Sequence, residues 1–363
     1  MSSYQRRARI SDPRIRELID DADGLEDGTA RVAMLEEAVN LADSLGDVIA
    51  AYEARLELIE AAVFSGHPRQ ALVAYAWCLA KQPEDPELFD EYELIWRYKW
   101  VATRTASFPT IPRSEILAAV DDMESRIRRL GGTSRIVHDV RWTLLADMGR
   151  YDEAAQEFAL WKDAPADDFS DCDACELDSE VWWHLQIDQR ETALTLAKPI
   201  LAGKMSCTYV PQMTYAQVLE PLWKAQRTEE AATYHRRGYR TLRDVPSDLN
   251  EASNHLLYLA LSENKSKGVR VLERFLPLAA QTHDLDHRFW FYRSAVAMFG
   301  ALAGKQDRRR KLRLPKTLAC YAEDESYRPG ELEEWFRRES QQIAQQFDRR
   351  NESTRFADAL GEV

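Results

Sequence analysis

Residues 52–83 read YEARLELIEAAVFSGHPRQALVAYAWCLAKQP. This stretch predicts two helices joined at Gly66, because glycine readily adopts the left-handed conformation that ends many helices. The second helix should begin at Pro68 and stop at Pro83, since proline fits the first turn of a helix but cannot continue one. Ala71 is small enough to let the two helices approach closely. The stretch therefore predicts a helical hairpin.

The same arrangement, a turn residue followed five positions later by a small residue, recurs along the chain. Gly149 precedes Ala154 by five residues, as Gly66 precedes Ala71. Near the start of the chain, Ala33 is expected to be the small residue of a second helix. Later copies place Asp188, Gln226 and Glu263 at the turn, and Ala193, Ala231 and Gly268 on the second helix. The repeat averages about 39 residues, and segments 87–103 and 114–130 should supply the pair missing from the series.

These residues resemble the tetratricopeptide-repeat (TPR) family of the bacterial type, most closely at 52–83 and 135–165. The resemblance implies an all-α solenoid of about six to eight stacked antiparallel helix pairs with a C-terminal capping helix. It also implies a protein-interaction scaffold whose first helices line a concave groove. The repeat exceeds the family's usual length of about 34 residues. Asp188 and Gln226 also replace the turn glycine, so we expect longer loops and an irregular superhelix.

Composition and charge exclude several classes of partner and location for the protein. The chain has 363 residues, and 61 acidic against 48 basic residues give a net charge of −13. An acidic surface argues against nucleic acid or an anionic membrane as partner, because both attract basic surfaces. The sequence contains no apolar run long enough to span a bilayer and no signal-like start, and its five cysteines are sparse. A cytoplasmic location is therefore expected.

Four segments are expected along the chain. The segment from Pro329 to Leu360 carries an apolar stripe that includes Leu332, Phe336 and Phe347. That stripe predicts a capping helix, or else a helix that docks a partner or occupies the groove. The expected segments are a flexible N-terminus (1–12), the solenoid (13–303), a basic loop with capping helices (304–350) and a frayed tail (351–363).

The concave groove implied by the resemblance mixes aromatic and charged side chains, which suits an extended or helical peptide. Its candidate residues are Asp178, Trp182, Gln186, Glu220, Trp223 and Phe291. Arg236 and Arg240 form a basic stripe on a second helix, which suits an acidic peptide or a phosphate. The alternatives are that these aromatic residues belong to the core between helices and that the arginines form a solvated face.

Three cysteines fall in two neighbouring repeats. Cys172 and Cys175 form a CxxC motif, and Cys207 precedes the first helix of the next repeat. Because adjacent repeats stack side by side, the three thiols can converge at one edge. Zinc takes four ligands, and His184 or His138 is a candidate for the fourth. Ordinary loop thiols and a redox dithiol remain open as alternatives to a structural zinc ion.

The sequence does not predict an enzyme. It contains no nucleophile-elbow, phosphate-loop, zincin or dinucleotide-binding motif. The function expected is a scaffold or adaptor that binds a protein or peptide and uses no cofactor, with structural zinc as the one exception considered. Two alternatives stay open: a regulatory receptor for a small ligand or signalling peptide, and a metal-stapled or redox-responsive scaffold.

Overall fold

The computed structural model describes residues 1–304 and 307–363, and the regular secondary structure of these residues is helical apart from one pair of two-residue strands. The prediction of an all-α fold is thereby confirmed. Residues 305 and 306, in the predicted basic loop, lie outside the described residues. The chain divides into two compact units: the first comprises Met1–Arg141 and Glu157–Phe169, and the second Trp142–Gln156 and Ser170–Val363.

The first unit contains helices joined by short connections, with a 3₁₀ turn at Gln82–Glu84. Its helices are α1 (Ser3–Arg7), α2 (Pro13–Asp23), α3 (Thr29–Leu45), α4 (Val48–Phe64), α5 (Pro68–Lys81), α6 (Glu91–Thr105) and α7 (Arg113–Arg129). The next two helices, α8 (Arg135–Asp147) and α9 (Tyr151–Asp163), contribute residues to both units. Helices α6 and α7 pack on each other, which confirms the helix pair predicted at 87–103 and 114–130.

The second unit holds the remaining helices and both strands. They are α10 (Asp173–Gln186), α11 (Arg190–Leu196), α12 (Lys198–Leu201), α13 (Gln212–Gln217), α14 (Leu219–Lys224), α15 (Thr228–Tyr239), α16 (Leu249–Leu261), α17 (Lys265–Gln281), α18 (Leu285–Ala303), β1 (Arg310–Lys311), β2 (Ser326–Tyr327), α19 (Pro329–Asn351) and α20 (Arg355–Gly361). The strands pair antiparallel, with Arg310 opposite Tyr327.

Consecutive helices pack in pairs within each unit. In the first unit α3 packs on α4, and α5 on both α4 and α6; in the second, α10 packs on α11, and α16 on α17 and α18. Helix α18 also packs along α19, and their buried side chains form part of one hydrophobic core with those of α16 and α17. No helix in the described part of the chain combines the length and apolar character needed to cross a bilayer.

The turns of the predicted repeats share one backbone geometry. Gly66, Gly149, Asp188, Gln226 and Glu263 all have positive φ, between 52° and 74°. At each of them the next residue's N–H donates to the carbonyl five residues before it, at 2.8–2.9 Å. This is the Schellman motif, which satisfies the last carbonyls of a helix. The following helix begins two residues after the turn, so the sequence correctly located five repeat turns.

The small residues on the second helices behave as predicted, with one exception. Ala71, Ala154, Ala193 and Ala231 have no exposed surface. Gly268 is also buried, and a Cβ atom there would collide with the side chain of Met298. Ala33 is exposed, so its assigned role was wrong. Helix α3 instead buries the face that carries Val32, Leu35, Ala38, Val39 and Ala42.

Proline interrupts two of the predicted helices. The helix predicted before the turn at Gln226 is broken between α13 and α14, and Pro221 lies in the first turn after the break. Pro199 likewise lies in the first turn of α12, after the end of α11. Because proline has no N–H, it removes the bond to the carbonyl four residues earlier and favours a new start. These breaks make the second unit less regular than an ideal repeat array.

Both chain ends differ from the prediction. Residues 1–12 were expected to be flexible, but Arg6 of α1 has no exposed surface and its Nε lies 2.7 Å from a carboxylate oxygen of Glu53. The tail 351–363 was expected to fray, but it folds into α20, whose Phe356 and Leu360 are buried. The amphipathic helix before it is confirmed as α19, which buries Leu332, Phe336, Ile343 and Phe347.

Candidate functional site

Helix α20 begins at a sharp reversal after α19. Glu352 has φ near 53°, which turns the chain back. The carboxylate of Asp348 then accepts hydrogen bonds from the backbone N–H groups of Phe356 and Ala357, at 3.0 and 2.9 Å. A carboxylate at this position satisfies free N–H groups and complements the positive end of the helix dipole. The last turn of α19 therefore caps α20.

Phe356 is the main apolar anchor of α20. Its ring centroid lies 4.5 Å from that of Phe347, in a stacked arrangement, and 4.8 Å from that of Phe289. Leu360 follows four residues later on the same side of the helix and is also buried. Residues at this spacing form the usual apolar stripe of a short docked helix.

Arg355 is the polar anchor of α20. One guanidinium nitrogen donates to the backbone carbonyl of Asp147 at 2.8 Å, and the other to the side-chain oxygen of Gln186 at 3.2 Å. The guanidinium also lies 5.1 Å from the ring centroid of Trp290, within the range of a cation–π interaction. One side chain thus joins α20 to α8, α10 and α18.

Two arginines hold the other end of α20. Arg293 donates to the carbonyl of Ala359 at 2.6 Å and pairs with Glu362 at 3.1 Å. Arg337 donates to the carbonyl of Leu360 at 3.4 Å and to an oxygen of Val363 at 2.8 Å. Cations are favourable there, since the last carbonyls of a helix lack partners within it. We call the surface formed by Asp147, Gln186, Phe289, Trp290 and Arg293 the docking surface.

The predicted groove residues lie in different environments. Gln186 belongs to the docking surface. Trp182 is half-buried and lies 5.9 Å from the ring of Trp142, and Trp223 is half-buried and packs edge-on against Tyr258. Glu220 forms an ion pair with Lys224 on its own helix, at 2.7 Å.

Two of the predicted groove residues are buried in the structure. Phe291 has no exposed surface, because α18 is surrounded by other elements and buries side chains on most of its faces. Asp178 is buried and accepts hydrogen bonds from the Thr214 hydroxyl and the Gln217 amide. Burial raises the pKa of Asp178 to about 6, and the two hydrogen bonds oppose that rise. Both residues lie in the interior, which corrects their assignment to an accessible groove.

The predicted basic stripe is only partly helical. Arg236 and Arg240 are exposed, but α15 ends at Tyr239, so Arg240 follows the helix. Arg236 donates to the hydroxyl of Thr233 at 3.0 Å. Gly238 is buried, and a Cβ atom there would lie 2.8 Å from the Cβ of Tyr215. This close approach explains a glycine inside a helix.

The three cysteines converge as predicted. The Sγ atoms of Cys172, Cys175 and Cys207 all lie within 4.8 Å of one another, and those of Cys175 and Cys207 are 3.1 Å apart. Cys172 is the N-cap of α10 and is exposed, whereas the other two are half-buried. We call these residues the thiol cluster.

Neither predicted fourth ligand reaches the thiol cluster. The His184 ring lies 2.7 Å from the Gln189 side chain, and the His138 ring lies 2.6 Å from Glu157 within the first unit. Within residues 1–304 and 307–363, no histidine, aspartate or glutamate joins the three thiols in one metal-sized group.

The two cysteines of the CxxC motif differ in their acidity. Burial opposes ionisation of Cys172, but the N–H and thiol of Cys175 and the N–H of Ala174 outweigh it and lower the pKa of Cys172. Burial and the two neighbouring thiols raise the pKa of Cys175. Cys172 is therefore the thiol of this pair that ionises more easily.

A second group of possible metal ligands is already used by the protein. The carboxylate of Asp284 accepts the N–H of His287 at 3.1 Å and so caps α18. Asp286 accepts the indole N–H of Trp290 at 3.1 Å. These contacts give the group a structural role at the start of α18.

Sequence reasoning missed two features of the second unit. One is a buried histidine pair, in which the Nδ1 atoms of His235 and His255 lie 2.9 Å apart. The sequence feature that pointed to this pair was Gly238, whose missing side chain leaves room for the His255 ring. The other is the docking of α20, which the spacing of Phe356 and Leu360 signalled.

No family model matches this chain, and no curated protein sequence matches it either. The resemblance to TPR proteins therefore depends on the repeat turns and the small buried residues described above.

Proposed function

We propose that this protein is a TPR-like interaction protein that binds a short helical segment of a partner protein on the docking surface. The observation that carries this proposal is the way α20 occupies that surface. A helix of only seven residues is held by contacts with α8, α10 and α18, which lie far from it in sequence, and with α19, which directly precedes it. We infer that α20 occupies the place that a partner helix would take.

The contacts define the partner's chemistry. A basic residue would occupy the place of Arg355, an aromatic residue that of Phe356, and an aliphatic residue that of Leu360. Anchors at this spacing are the usual mode of helix-in-groove recognition. Arg293 and Arg337 would hold the carbonyls at the end of the bound helix, as they do for α20. This chemistry favours an amphipathic helix with one basic anchor at its start and an acidic residue near its end.

Helix α20 is not packed on all sides, which favours its exchange for a partner. A cleft of roughly 720 Å³ runs between α19 and α20, and it is lined by Arg337, Gln345, Asp348 and Ala357 among others. Local segments with few apolar contacts open at lower free energy than the core. The partner would therefore compete with α20 and need not unfold the unit.

The test uses the full chain carrying Phe356→Ala and Leu360→Ala, which should free the docking surface. A labelled peptide of residues 352–363 is then titrated and followed by fluorescence anisotropy. We expect saturable binding to this variant and much weaker binding to the unaltered chain, because tethered α20 competes at high effective concentration. A peptide carrying Phe356→Ala should bind at least about tenfold more weakly, since it lacks the main anchor.

The matched control peptide carries Ala357→Ser, at an exposed position, and should bind like the original. On the receptor, Gln186→Ala should weaken binding and Arg240→Ala should not, because Arg240 is not part of the docking surface. Absence of saturable binding, or equal binding of the Phe356→Ala and Ala357→Ser peptides, would contradict the proposal. An effect of Arg240→Ala alone would favour the basic stripe as the binding surface.

A further inference from the structure

We propose that Cys172, Cys175 and Cys207 together bind one Zn²⁺ ion, whose fourth position holds a water molecule that a small exogenous ligand can replace. The site lies outside the docking surface and is independent of the function proposed above. Its ligands come from two segments, the N-terminus of α10 and the loop between α12 and α13.

The spacing of the three sulfur atoms suits a single ion. Zinc–thiolate bonds of about 2.3 Å in tetrahedral geometry place the sulfurs about 3.8 Å apart. The thiol cluster is compatible with that value, since one pair of sulfurs is 3.1 Å apart and every pair lies within 4.8 Å. Small side-chain rotations would equalise the three distances. A 4Fe–4S cluster binds each thiolate to a different iron and therefore needs a wider arrangement.

The local packing shows what the ion would stabilise. The buried apolar residues around the thiol cluster form a small cluster of Ala174, Ile200 and Val210, separate from the main core of the unit. The loop that carries Cys207 makes a tight turn, in which the Cys207 N–H donates to the carbonyl of Val210 at 2.9 Å. So small an apolar cluster contributes little to holding this loop against α10. A metal ion would cross-link the two segments directly.

The fourth position is open on the solvent side. Cys172 is exposed, and among the described residues no histidine, aspartate, glutamate or further cysteine joins the thiol cluster. Three protein ligands with an exchangeable fourth position are typical of zinc sites that bind a water molecule or an incoming ligand. The expected ligand class is therefore a small thiol or imidazole.

Metal analysis of the purified full chain tests the site. The protein is reduced with a phosphine, incubated with Zn²⁺ alone and passed through a desalting column. We expect one zinc per chain. Cys172→Ser, Cys175→Ser and Cys207→Ser should each weaken zinc binding by more than the roughly 10–100-fold cost of losing an outer-shell partner. Cys320→Ser is the matched control, because Cys320 is a half-buried free thiol of the same unit, outside the cluster.

Three results would overturn the metal site. They are a reduced protein without zinc, zinc retained by Cys172→Ser, and zinc lost equally from Cys320→Ser. If the reduced protein binds no zinc and the oxidised protein forms a Cys175–Cys207 disulfide, the cysteines are a redox pair and not a metal site. Because Cys172 is exposed, its substitution should leave the fold intact. Far-UV circular dichroism checks this. The Cys172→Ser variant therefore keeps the test decisive even if another variant misfolds.

Cobalt substitution tests the open position separately. Co²⁺ in place of zinc should give thiolate-to-cobalt charge-transfer bands and the intense d–d bands of tetrahedral coordination. Addition of imidazole or a small thiol should shift the d–d bands if the fourth ligand is exchangeable. An unchanged spectrum would contradict the exchangeable position, and a six-coordinate spectrum would contradict the tetrahedral site.

Discussion

The two ends of the chain are both short helices, but different forces hold them. Helix α1 is anchored by charge: buried Arg6 pairs with Glu53 and Glu93. Helix α20 is anchored by the apolar side chain of Phe356, by Leu360 and by hydrogen bonds to carbonyl oxygens. A buried ion pair is costly to open because each charge is left without its partner. An apolar anchor on a short helix can leave and return, so only the C-terminal end is suited to exchange with a partner.

The largest expected effect comes from breaking the N-terminal anchor. Glu53→Ala leaves the guanidinium of Arg6 buried without its fully buried partner, a change that typically costs about 3–5 kcal/mol of folding stability. Urea denaturation, with hydrogen exchange of α4 as the local probe, measures the loss. The Arg6→Met/Glu53→Leu double variant removes both charges together and should recover most of the stability.

The control for this prediction is Arg14→Ala, because Arg14 pairs with Asp12 in an exposed position and exposed pairs contribute little. If Glu53→Ala and Arg14→Ala had equal effects, the N-terminal helix would not depend on the buried ion pair.

The second effect should be confined to the C-terminal end. Phe356→Ala removes a buried ring, a change that costs about 3–5 kcal/mol where the surroundings cannot relax. We expect α20 to detach, so amide exchange across 353–363 should accelerate strongly while exchange in α18 stays slow. Mass spectrometry of deuterated peptides measures both, and Ala357→Ser serves as the exposed control. Equal acceleration in α18 would show that α20 and the core open together.

Lowering the pH should destabilise the second unit through protonation of His235 and His255. Burial, with Lys267 and Arg236 nearby, lowers the pKa of His235 to about 4, and burial lowers that of His255 well below its ordinary value. Their contribution to stability is therefore complete above the ordinary histidine pKa of about 6.5 and is lost as the pH falls toward 4. Each histidine contributes a slope of about 1.4 kcal/mol per pH unit in that window.

The measurement compares unfolding of the unaltered chain with that of the His235→Gln/His255→Gln variant across this pH range. Asp178 and Asp286 have pKa values raised to about 6 and titrate in the same range with the opposite sign, but both proteins carry them. The stability advantage of the unaltered chain over the variant should shrink as the pH falls. Parallel pH profiles would show that the histidine pair does not control the acid response.

The smallest effects are expected at the repeat turns, which occur in both units. Gln226→Gly should stabilise the second unit by about 0.5–1 kcal/mol, because glycine adopts positive φ without the cost that a side chain brings. Gly66→Ala should destabilise the first unit by about 1–2 kcal/mol for the same reason. Thermal unfolding measures both changes. A loss of stability in Gln226→Gly would mean that the glutamine side chain contributes more than its backbone strain costs.

Local signals explain why the sequence predicted the turns and the thiol cluster. A Schellman turn is set by a few adjacent residues, so its five copies could be located one by one. The convergence of Cys172, Cys175 and Cys207 followed from stacking neighbouring repeats. Both predictions needed only short-range patterns and one rule of architecture.

The ends and the groove depended on contacts that no local pattern contains. Helix α1 has five residues, and nothing near Arg6 in the sequence indicates Glu53 as its partner. Docking of α20 depends on Gln186, which is 169 residues away. Phe291 was misplaced because α18 is covered on most sides, so a register taken from repeat spacing cannot distinguish its inner face from its outer face.

The division of α8 and α9 between the two units has a consequence for synthesis on the ribosome. The Nζ atom of Lys99 donates to the carbonyl of Phe169 at 3.2 Å, across 70 residues of chain. At roughly 5–20 residues per second, that partner is made about 4–14 seconds after Lys99. The first unit therefore cannot complete its packing until residues 142–156, which belong to the second unit, have been translated.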